Sequence, residues 1–441
     1  MSNTVNFDEV NQSCAGIDVG AERIFVSPDG IEVTSFDTFT SGYYSCIEYL
    51  QSKNIKSVAM EATGVYWMAL YSMLESCGIK VCLVNPKETK QPKGRKTDVA
   101  DCRWIQKLFS AGILRSSFVP EGTMLELRFL VRDRMDFIEM GSTYVNKMQK
   151  YLELMNIKLK EVISQIHGSS GIKMIKAIIE GERNPQKLLA LCDERIIKNK
   201  EQAVVNALAG NYNDTYIFML AQNMKMWELH QSQLLAIDRQ IEKLLNELCL
   251  EKKIEVTTTR KAKRVRHYEP KIEGLHQKIM QIYGVNLSSI SGFSDYTLLR
   301  LIGETGTDMS RFPTVKHFAS WCGLSPKNHR SGKMKKRVKG TPCNQSGQIF
   351  KLCAQSLMNS KSIAIGCFIR KLKAKKDAGT AIKAGARKLA YAYYNALTKG
   401  TEYVEQGVRK YEEQIKQREI QTLHKLANKH KFKLVENQKA A

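Results

Sequence analysis

The chain has 441 residues, which predicts two or three domains, and its hydrophobic fraction of 43% excludes a disordered chain. It carries 68 Lys and Arg against 44 Asp and Glu, and this net charge of +24 favours a nucleic acid or an anionic membrane over a small anionic substrate. Because no run of eighteen apolar residues and no signal peptide is present, we expect neither a membrane span nor export. The odd number of cysteines, 11 with no CxxC pair, predicts reduced thiols in a cytoplasmic protein.

The charge is unevenly distributed along the chain. Residues 1–104 carry a net charge of −3, so the remaining residues carry +27. This split suggests carboxylates that hold metal ions in the first part and side chains that neutralise phosphates in the rest. Ordinary solvated faces of basic helices are the alternative interpretation for many of these lysines.

Residues 1–115 predict a mixed α/β domain. Three strands (14–20, 24–27 and 31–39) come first, with a hairpin turn at 28–30, and are followed by a helix, a strand, a helix, a strand and a helix that begins near Thr97. An antiparallel start followed by alternating helices and strands indicates a mixed sheet with flanking helices. This is the element order of the ribonuclease H fold.

Four acidic residues of this domain are candidate metal ligands. Asp18 lies inside the first strand, where an unpaired charge is costly, and Glu61 ends a parallel strand, where active sites of open sheets gather. Asp98 and Asp101 share one face at a helix start, although capping by Thr97 and the helix dipole also explain them. If the four converge, they can hold two Mg²⁺ or Mn²⁺ ions for phosphodiester chemistry.

Residues 120–250 predict a helical, coiled-coil region. Apolar residues follow spacings of three and four over 227–248, with His230 at one of the seam positions. A second such seam runs over 138–166, with Gly141 at one of its positions. The two seams pair either within one subunit or between subunits. Pairing between subunits would give a homo-oligomer, a dimer or tetramer.

Residues 251–275 predict a basic linker that touches nucleic acid. Its candidate contacts are the basic side chains of its central part, namely Arg260, Lys261, Lys263, Arg264 and Arg266. A mainly helical domain follows over 276–405, with basic helical faces between residues 369 and 388, and a charged helical tail over 406–441.

Ser331 lies in a basic stretch without any acid. The surrounding cations are Lys327, Arg330, Lys333, Lys335, Lys336, Arg337 and Lys339. A serine there faces a bound phosphate, and the cations can stabilise the transition state. From the residues alone, the better interpretation is a basic loop that binds the DNA backbone, with Ser331 as an ordinary loop residue. Ser325, Ser346 and His329 are the competing side chains for nucleophile and base.

The motifs GIDVG, MEATG and KTDVAD resemble the RuvC-like DEDD domain of bacterial transposases of insertion sequence family 110. The matching acids are Asp18, Glu61, Asp98 and Asp101. Residues 290–326 resemble the helix–hairpin–helix segment of that family, although SGFS replaces its first Pro-Gly-Ile-Gly turn. The following Ser331, Gly332 and Lys333 match its Ser-Gly-Gly-Lys element, except that Lys replaces the second glycine.

The resemblance implies a DNA transposase with Mg²⁺ at the four acids and Ser331 as the nucleophile that forms a covalent phosphoserine. It also implies guidance by a noncoding bridge RNA and a bacterial, nucleoid-associated location in the cytoplasm. A RuvC-like junction-resolving nuclease that needs no serine is the main alternative. A sugar kinase would need a second phosphate loop after a strand, which this sequence does not offer. An architectural DNA-binding protein would leave Asp18 and Glu61 without a purpose.

Overall fold

The structure is a computed structural model that describes residues 10–90, 97–120, 122–252, 268–326, 328–331, 334–337, 342–360 and 363–433. The chain divides into two compact units, residues 1–119 and 120–441. The first unit contains the five-stranded sheet, and the second is mostly helical.

The first unit is built on one mixed sheet. Its strands are β1 (Cys14–Val19), β2 (Arg23–Ser27), β3 (Thr34–Asp37), β4 (Ser57–Glu61) and β5 (Lys80–Val84). Their order in the sheet is β3-β2-β1-β4-β5. Strand β2 pairs antiparallel with both β1 and β3, and strand β4 pairs parallel with both β1 and β5. The mixed sheet confirms the predicted α/β fold, and its order fits a ribonuclease H-like domain.

The third strand is shorter than predicted because the turn before it is longer. The Asp29 carboxylate accepts hydrogen bonds from the amides of Ile31 and Glu32, both at 2.8 Å. These bonds hold the chain in a turn past Gly30, so pairing with β2 starts only at Thr34.

Three helices flank the sheet, namely α1 (Thr40–Ser52), α2 (Trp67–Ser76) and α3 (Asp98–Ser110). The Thr97 hydroxyl accepts a hydrogen bond from the Ala100 amide at 3.2 Å, so Thr97 caps α3 as predicted. Helix α3 packs on β1 and β4, where Ile105 and Phe109 bury themselves against Cys14 and Ala59.

The second unit begins with a long antiparallel helix pair, α4 (Thr123–Leu154) and α9 (Asp214–Lys252). The apolar seams of the two helices pack on each other within the chain, and His230 lies between the rings of Phe137 and Tyr144, at 5.6 and 5.1 Å. Four shorter helices connect them: α5 (Leu159–Val162), α6 (Ser169–Ile179), α7 (Pro185–Leu189) and α8 (Glu194–Leu208).

The apolar seam predicted over 138–166 is not one continuous helix. Helix α4 ends at Leu154, and Asn156 adopts a left-handed conformation with φ of 57°. The Ile157 amide then bonds to the Leu152 carbonyl and closes the helix end. The seam residues after this point, Leu159, Val162 and Ile166, instead join the core beneath α6 and α8.

A buried ion pair joins α4, α9 and the chain that follows. Arg134 Nε donates to Asp238 Oδ1 at 2.5 Å, and both side chains are almost fully buried. Arg134 Nη1 also donates to the Tyr268 carbonyl at 3.0 Å, and the Lys271 amide donates to Asp238 Oδ2 at 2.9 Å. The pair therefore fixes residues 268–271 against the helix pair.

The remaining helices form the C-terminal part of the second unit. They are α10 (Leu275–Tyr283), α11 (Asp295–Thr305), α12 (Val315–Trp321), α13 (Gln345–Leu357), α14 (Ala364–Lys373), α15 (Ala378–Lys399) and α16 (Thr401–Lys429), with a 3₁₀ turn at Leu287–Ser289. Tyr393 lies at their centre: its ring stacks on Phe318, and its hydroxyl contacts those of Tyr283 and Thr305 at 2.9 and 2.8 Å. Among the described helices, none is long and apolar enough to cross a membrane.

Candidate active site

Asp18 and Glu61 lie side by side on neighbouring parallel strands. The register pairs Ile17 of β1 with Met60 of β4, so the next step along both strands sets Asp18 beside Glu61. Ile17 and Met60 are fully buried on one face, and the alternation of strand side chains turns both carboxylates toward the other face. Each carboxylate remains partly exposed at the strand ends.

Gly16 brings helix α3 to that same face. A Cβ atom at Gly16 would lie 2.3 Å from the Cys102 carbonyl oxygen, so the helix backbone rests directly on β1. Asp98 lies one helical turn before Cys102, and Asp101 immediately precedes it. The close packing therefore carries the first turn of α3 to the edge of the sheet where Asp18 and Glu61 lie.

The electrostatics of Asp18 reflect this convergence. The pKa of Asp18 is raised from its ordinary 3.8 to about 6, mainly by burial and then by repulsion from Asp98, Asp101 and Glu61. A hydrogen bond from the Val19 amide acts in the opposite direction. The other three carboxylates that the sequence singles out therefore lie within electrostatic range of Asp18.

Two threonine hydroxyls hold the carboxylate of Glu61. Thr89 Oγ1 donates to Oε2 at 2.6 Å, and Thr63 Oγ1 donates to Oε1 at 3.0 Å. Thr89 is buried, with 5% of its surface exposed, so its hydroxyl has little access to water. Each carboxylate oxygen keeps one further lone-pair direction, which a cation can occupy.

Among the described residues, no three His, Cys, Asp or Glu side chains lie close enough together to hold a metal ion as they stand. The four acids are therefore electrostatic neighbours rather than a closed ligand cage, as expected for carboxylates that repel each other. The donor set consists entirely of carboxylate oxygens, which suits a hard divalent cation such as Mg²⁺ or Mn²⁺. A cation between them would relieve the repulsion that raises the pKa of Asp18.

Ser331 lies in a two-stranded hairpin that the sequence does not predict. The strands are β6 (Asn328–Ser331) and β7 (Met334–Arg337), and Ser331, the last residue of β6, pairs with Met334, the first residue of β7. Of the competing serines, Ser346 is only 1% exposed in helix α13, so its hydroxyl is excluded as a nucleophile toward a polymer. Ser325 is partly exposed and stays a competitor.

The base of the hairpin is closed by backbone contacts between α12 and α13. A Cβ atom at Gly347 would lie 2.0 Å from the Cys322 carbonyl oxygen, and one at Gly323 would lie 2.4 Å from that of Pro342. Asn344 Nδ2 donates to the Trp321 carbonyl at 3.1 Å, while its Oδ1 accepts from the Gly347 amide at 2.9 Å. The segment that carries Ser331 therefore leaves and rejoins the domain at one point.

Comparison with known families matches both ends of the chain. The DEDD transposase model of IS110 matches residues 15–157, which include all four carboxylates. The model of the transposase IS116/IS110/IS902 family matches residues 285–364, which include Ser331. The chain belongs to the IS110 family of transposases. No curated protein matches it.

The predicted phosphate contacts of this transposase divide by location. The five cations of the linker, Arg260, Lys261, Lys263, Arg264 and Arg266, lie outside the described residues, as do Lys327, Lys333 and Lys339. The backbones of Arg330, Lys335, Lys336 and Arg337 lie on β6 and β7. These four residues share the hairpin with Ser331.

Sequence reasoning missed three residues that shape the sites of the transposase. Gly16 sits inside the GIDVG motif, where its spacing two residues before Asp18 was the available signal. Thr89 lies in a basic loop, and its contact with Glu61 spans 28 residues, so no local pattern indicates it. Asn344 precedes a helix and is recognisable from the sequence as a cap, but no local pattern indicates its hydrogen bond to the Trp321 carbonyl, 23 residues away.

Proposed function

We propose that this transposase cuts and rejoins DNA with the DEDD carboxylates and Ser331, through a covalent phosphoserine intermediate. The observation that carries the proposal is that the β1–β4 register sets Asp18 beside Glu61 while Gly16 packs on α3, whose first turn holds Asp98 and Asp101 near enough to raise the pKa of Asp18. The four acids lie in a RuvC-like catalytic domain within residues 1–115. The basic linker of 251–275 and the domain of 276–405 supply the nucleic-acid contacts.

Mg²⁺ or Mn²⁺ would be held by Asp18, Glu61, Asp98 and Asp101. When bound, these ions supply the charge that neutralises the phosphate and stabilises the leaving oxygen. The protein contributes the arrangement: the β1–β4 register sets two acids side by side, and the contact of Gly16 with α3 sets the other two beside them. Thr63 and Thr89 orient the Glu61 carboxylate through their hydroxyl groups.

In the proposed serine step, Ser331 Oγ attacks the scissile phosphorus, and a P–O ester bond to deoxyribose breaks. The serine proton passes to the departing hydroxyl by way of a base, and the phosphoserine conserves the ester for rejoining to another strand end. Cations on β6 and β7 offset the negative charge that develops on the phosphoryl oxygens. The closed base of the hairpin supports the serine against displacement during attack.

Guidance by a noncoding bridge RNA and assembly as a dimer or tetramer belong to the same proposal. The charge of +27 after residue 104 is ample for both DNA and RNA backbones. An assembly provides two or more sets of carboxylates and serines, which a reaction between two duplexes needs. A bacterial cytoplasmic, nucleoid-associated location follows from this function.

A RuvC-like nuclease that needs no serine is the second candidate. The observation that favours it is that all four carboxylates belong to one compact unit that does not include Ser331. Such an enzyme would cut DNA with water and leave no covalent intermediate.

The deciding experiment uses a radiolabelled element end with the element's RNA and Mg²⁺. We expect the wild-type chain to form a denaturation-resistant protein–DNA adduct and Ser331→Ala to form none. Ser325→Ala is the matched control and should keep the adduct, whereas Asp18→Asn should lose it while folding normally. Cutting without any adduct, unchanged in Ser331→Ala, would identify the nuclease instead.

A further inference from the structure

The structure sorts the cations between residues 369 and 388 into two groups. This segment holds eight Lys or Arg and one acid, and it folds into helix α14, a turn and helix α15. The arginines are engaged inside the domain: Arg370 donates to the carbonyls of Met358 and Ser360, and Arg387 donates to the Tyr391 hydroxyl at 2.7 Å. The arginines therefore serve the fold.

Four lysines instead project from the last turn of α14 and from the connection that follows it. They are Lys371, Lys373, Lys375 and Lys376, and all are exposed. None of the ion pairs among the described residues includes any of them. The nearby acid, Asp377, uses its carboxylate to accept from the amide and hydroxyl of Thr380, at 2.8 and 2.6 Å, where it caps α15.

The turn holds these charges in an ordered arrangement. The amides of Lys375 and Lys376 bond to the Leu372 carbonyl at 3.1 and 2.9 Å, so helical hydrogen bonding continues past the end of α14. At about 1.5 Å per residue, the four lysines lie within about 8 Å along the axis. The like charges of these lysines repel each other, and the phosphates of a bound polyanion would relieve that repulsion by neutralising them.

We propose that this lysine turn, residues 371–376, binds the phosphate backbone of duplex DNA. It is separate from the linker and from the hairpin of Ser331, and it reads no sequence because lysines on a turn contact phosphates rather than base edges. Lys371 and Lys375 are four residues apart and share one side of the continued helix, so together they can contact neighbouring phosphates of one strand. The turn would hold the duplex while other residues act on it.

The proposal rests on DNA binding by the transposase and not on serine or metal chemistry. It is therefore tested as binding, with the full chain in EDTA, where no strand is cut. The probe is a fluorescein-labelled DNA duplex of mixed sequence, and its anisotropy is followed at salt concentrations from about 50 to 200 mM. Failure of the phosphoserine mechanism would leave this measurement unaffected.

The test variant carries Lys371→Gln, Lys373→Gln, Lys375→Gln and Lys376→Gln. We expect the slope of log K against log salt to become shallower by about 2, and the Kd to rise roughly tenfold or more at the lowest salt. The control variant removes the same net charge with Gln at Lys53, Lys158, Lys176 and Lys187, exposed or partly exposed lysines that each pair with a glutamate. It should keep a slope near that of the wild type.

A slope unchanged in the test variant, or an equal loss in the control, would overturn the proposal. A structured RNA hairpin is titrated in parallel, and a loss for RNA without a loss for duplex DNA would contradict the assignment to DNA. If the fourfold variant has a lowered Tm, the pair Lys371→Gln with Lys373→Gln and the pair Lys375→Gln with Lys376→Gln are compared. Each pair should then account for about half of the slope change.

Discussion

Gly16 of β1 and Gln106 of α3 are in direct backbone contact. A Cβ atom built on Gly16 would lie 2.3 Å from the Gln106 amide nitrogen, a separation that real Cβ atoms do not tolerate. Asp18 follows Gly16 by two residues on the same face of the sheet, and Asp98 and Asp101 lie in the first turn of the helix that Gly16 admits. Because Gly16 has no side chain, α3 can approach β1 closely, and this approach sets the distance of Asp98 and Asp101 from Asp18.

Gly16→Ala should therefore damage the site without removing a ligand. The obstacle is backbone rather than a flexible side chain, so α3 has to move, and overpacking of this kind costs about 1–3 kcal/mol. We expect cleavage to fall by more than the loss of folded protein explains, measured as strand cutting per folded chain. Gly407→Ala is the matched control, because its Cβ would meet nothing within 4 Å and alanine favours the helix. Full activity of Gly16→Ala would contradict the positioning role.

The sheet could be predicted from the sequence for identifiable reasons. Short apolar runs and the Pro-Asp-Gly turn mark the strands, and the order of elements then fixes which strand ends share an edge. Asp18 and Glu61 were recognisable because charges inside or at the end of buried strands are costly. The approach of Asp98 and Asp101 was not, since it depends on the long-range packing of α3 on Gly16.

Other features escaped prediction because local pattern does not encode them. Strands β6 and β7 contain almost no apolar residues, so no alternation of apolar and polar residues indicates them, and only their pairing with each other defines them. The seam over 138–166 keeps helical spacing, yet the left-handed Asn156 ends α4 inside it. Asparagine is one of the few residues that adopts this conformation readily, so the signal was present but weak.

Asp18 should make stability depend on pH in an unusual direction. Its pKa rises from 3.8 to about 6 on folding, so the folded chain binds the proton more tightly than the unfolded chain. The contribution of Asp18 to stability is then greatest below pH 3.8 and falls as the pH rises to about 6, by at most about 3 kcal/mol and by less because the carboxyl is partly exposed. Asp18→Asn should remove this decline and stabilise the metal-free chain at neutral pH.

Amide hydrogen exchange of β1 in EDTA, at a series of pH values, measures this effect within the first unit. Asp308 provides a control of opposite sign, because hydrogen bonds from the Ser310 amide and hydroxyl lower the pKa of its carboxyl. Asp308→Asn should therefore cost stability at neutral pH near α11. A β1 that is equally protected in wild type and Asp18→Asn at every pH would refute the prediction.

Thr89→Val should loosen Glu61 without changing charge or volume appreciably. The hydroxyl of Thr89 donates to Glu61 Oε2 at 2.6 Å from a buried position, so valine leaves that oxygen without its protein donor. Groups that orient a metal ligand are typically worth 10–100-fold in affinity or activity, and we expect a weakening of Mn²⁺ binding by about tenfold. Mn²⁺ titration followed by electron paramagnetic resonance gives the value directly. Thr89→Ser keeps the hydroxyl and should bind Mn²⁺ like the wild type.

The buried pair of Arg134 and Asp238 should show strong coupling in a double-mutant cycle. Arg134→Met alone leaves an uncompensated buried carboxylate and should cost about 3–5 kcal/mol of unfolding free energy, and Asp238→Leu alone should cost a similar amount.

The combined variant, Arg134→Met with Asp238→Leu, should recover part of this loss because no buried charge remains. Recovery is incomplete, since the Tyr268 carbonyl and the Lys271 amide each lose a hydrogen-bond partner, at about 1–3 kcal/mol per unsatisfied group. Urea unfolding of the four chains measures the coupling, which we expect to exceed about 1 kcal/mol for groups in contact. Strictly additive losses would show that the two side chains act independently and that the pair does not hold residues 268–271 in place.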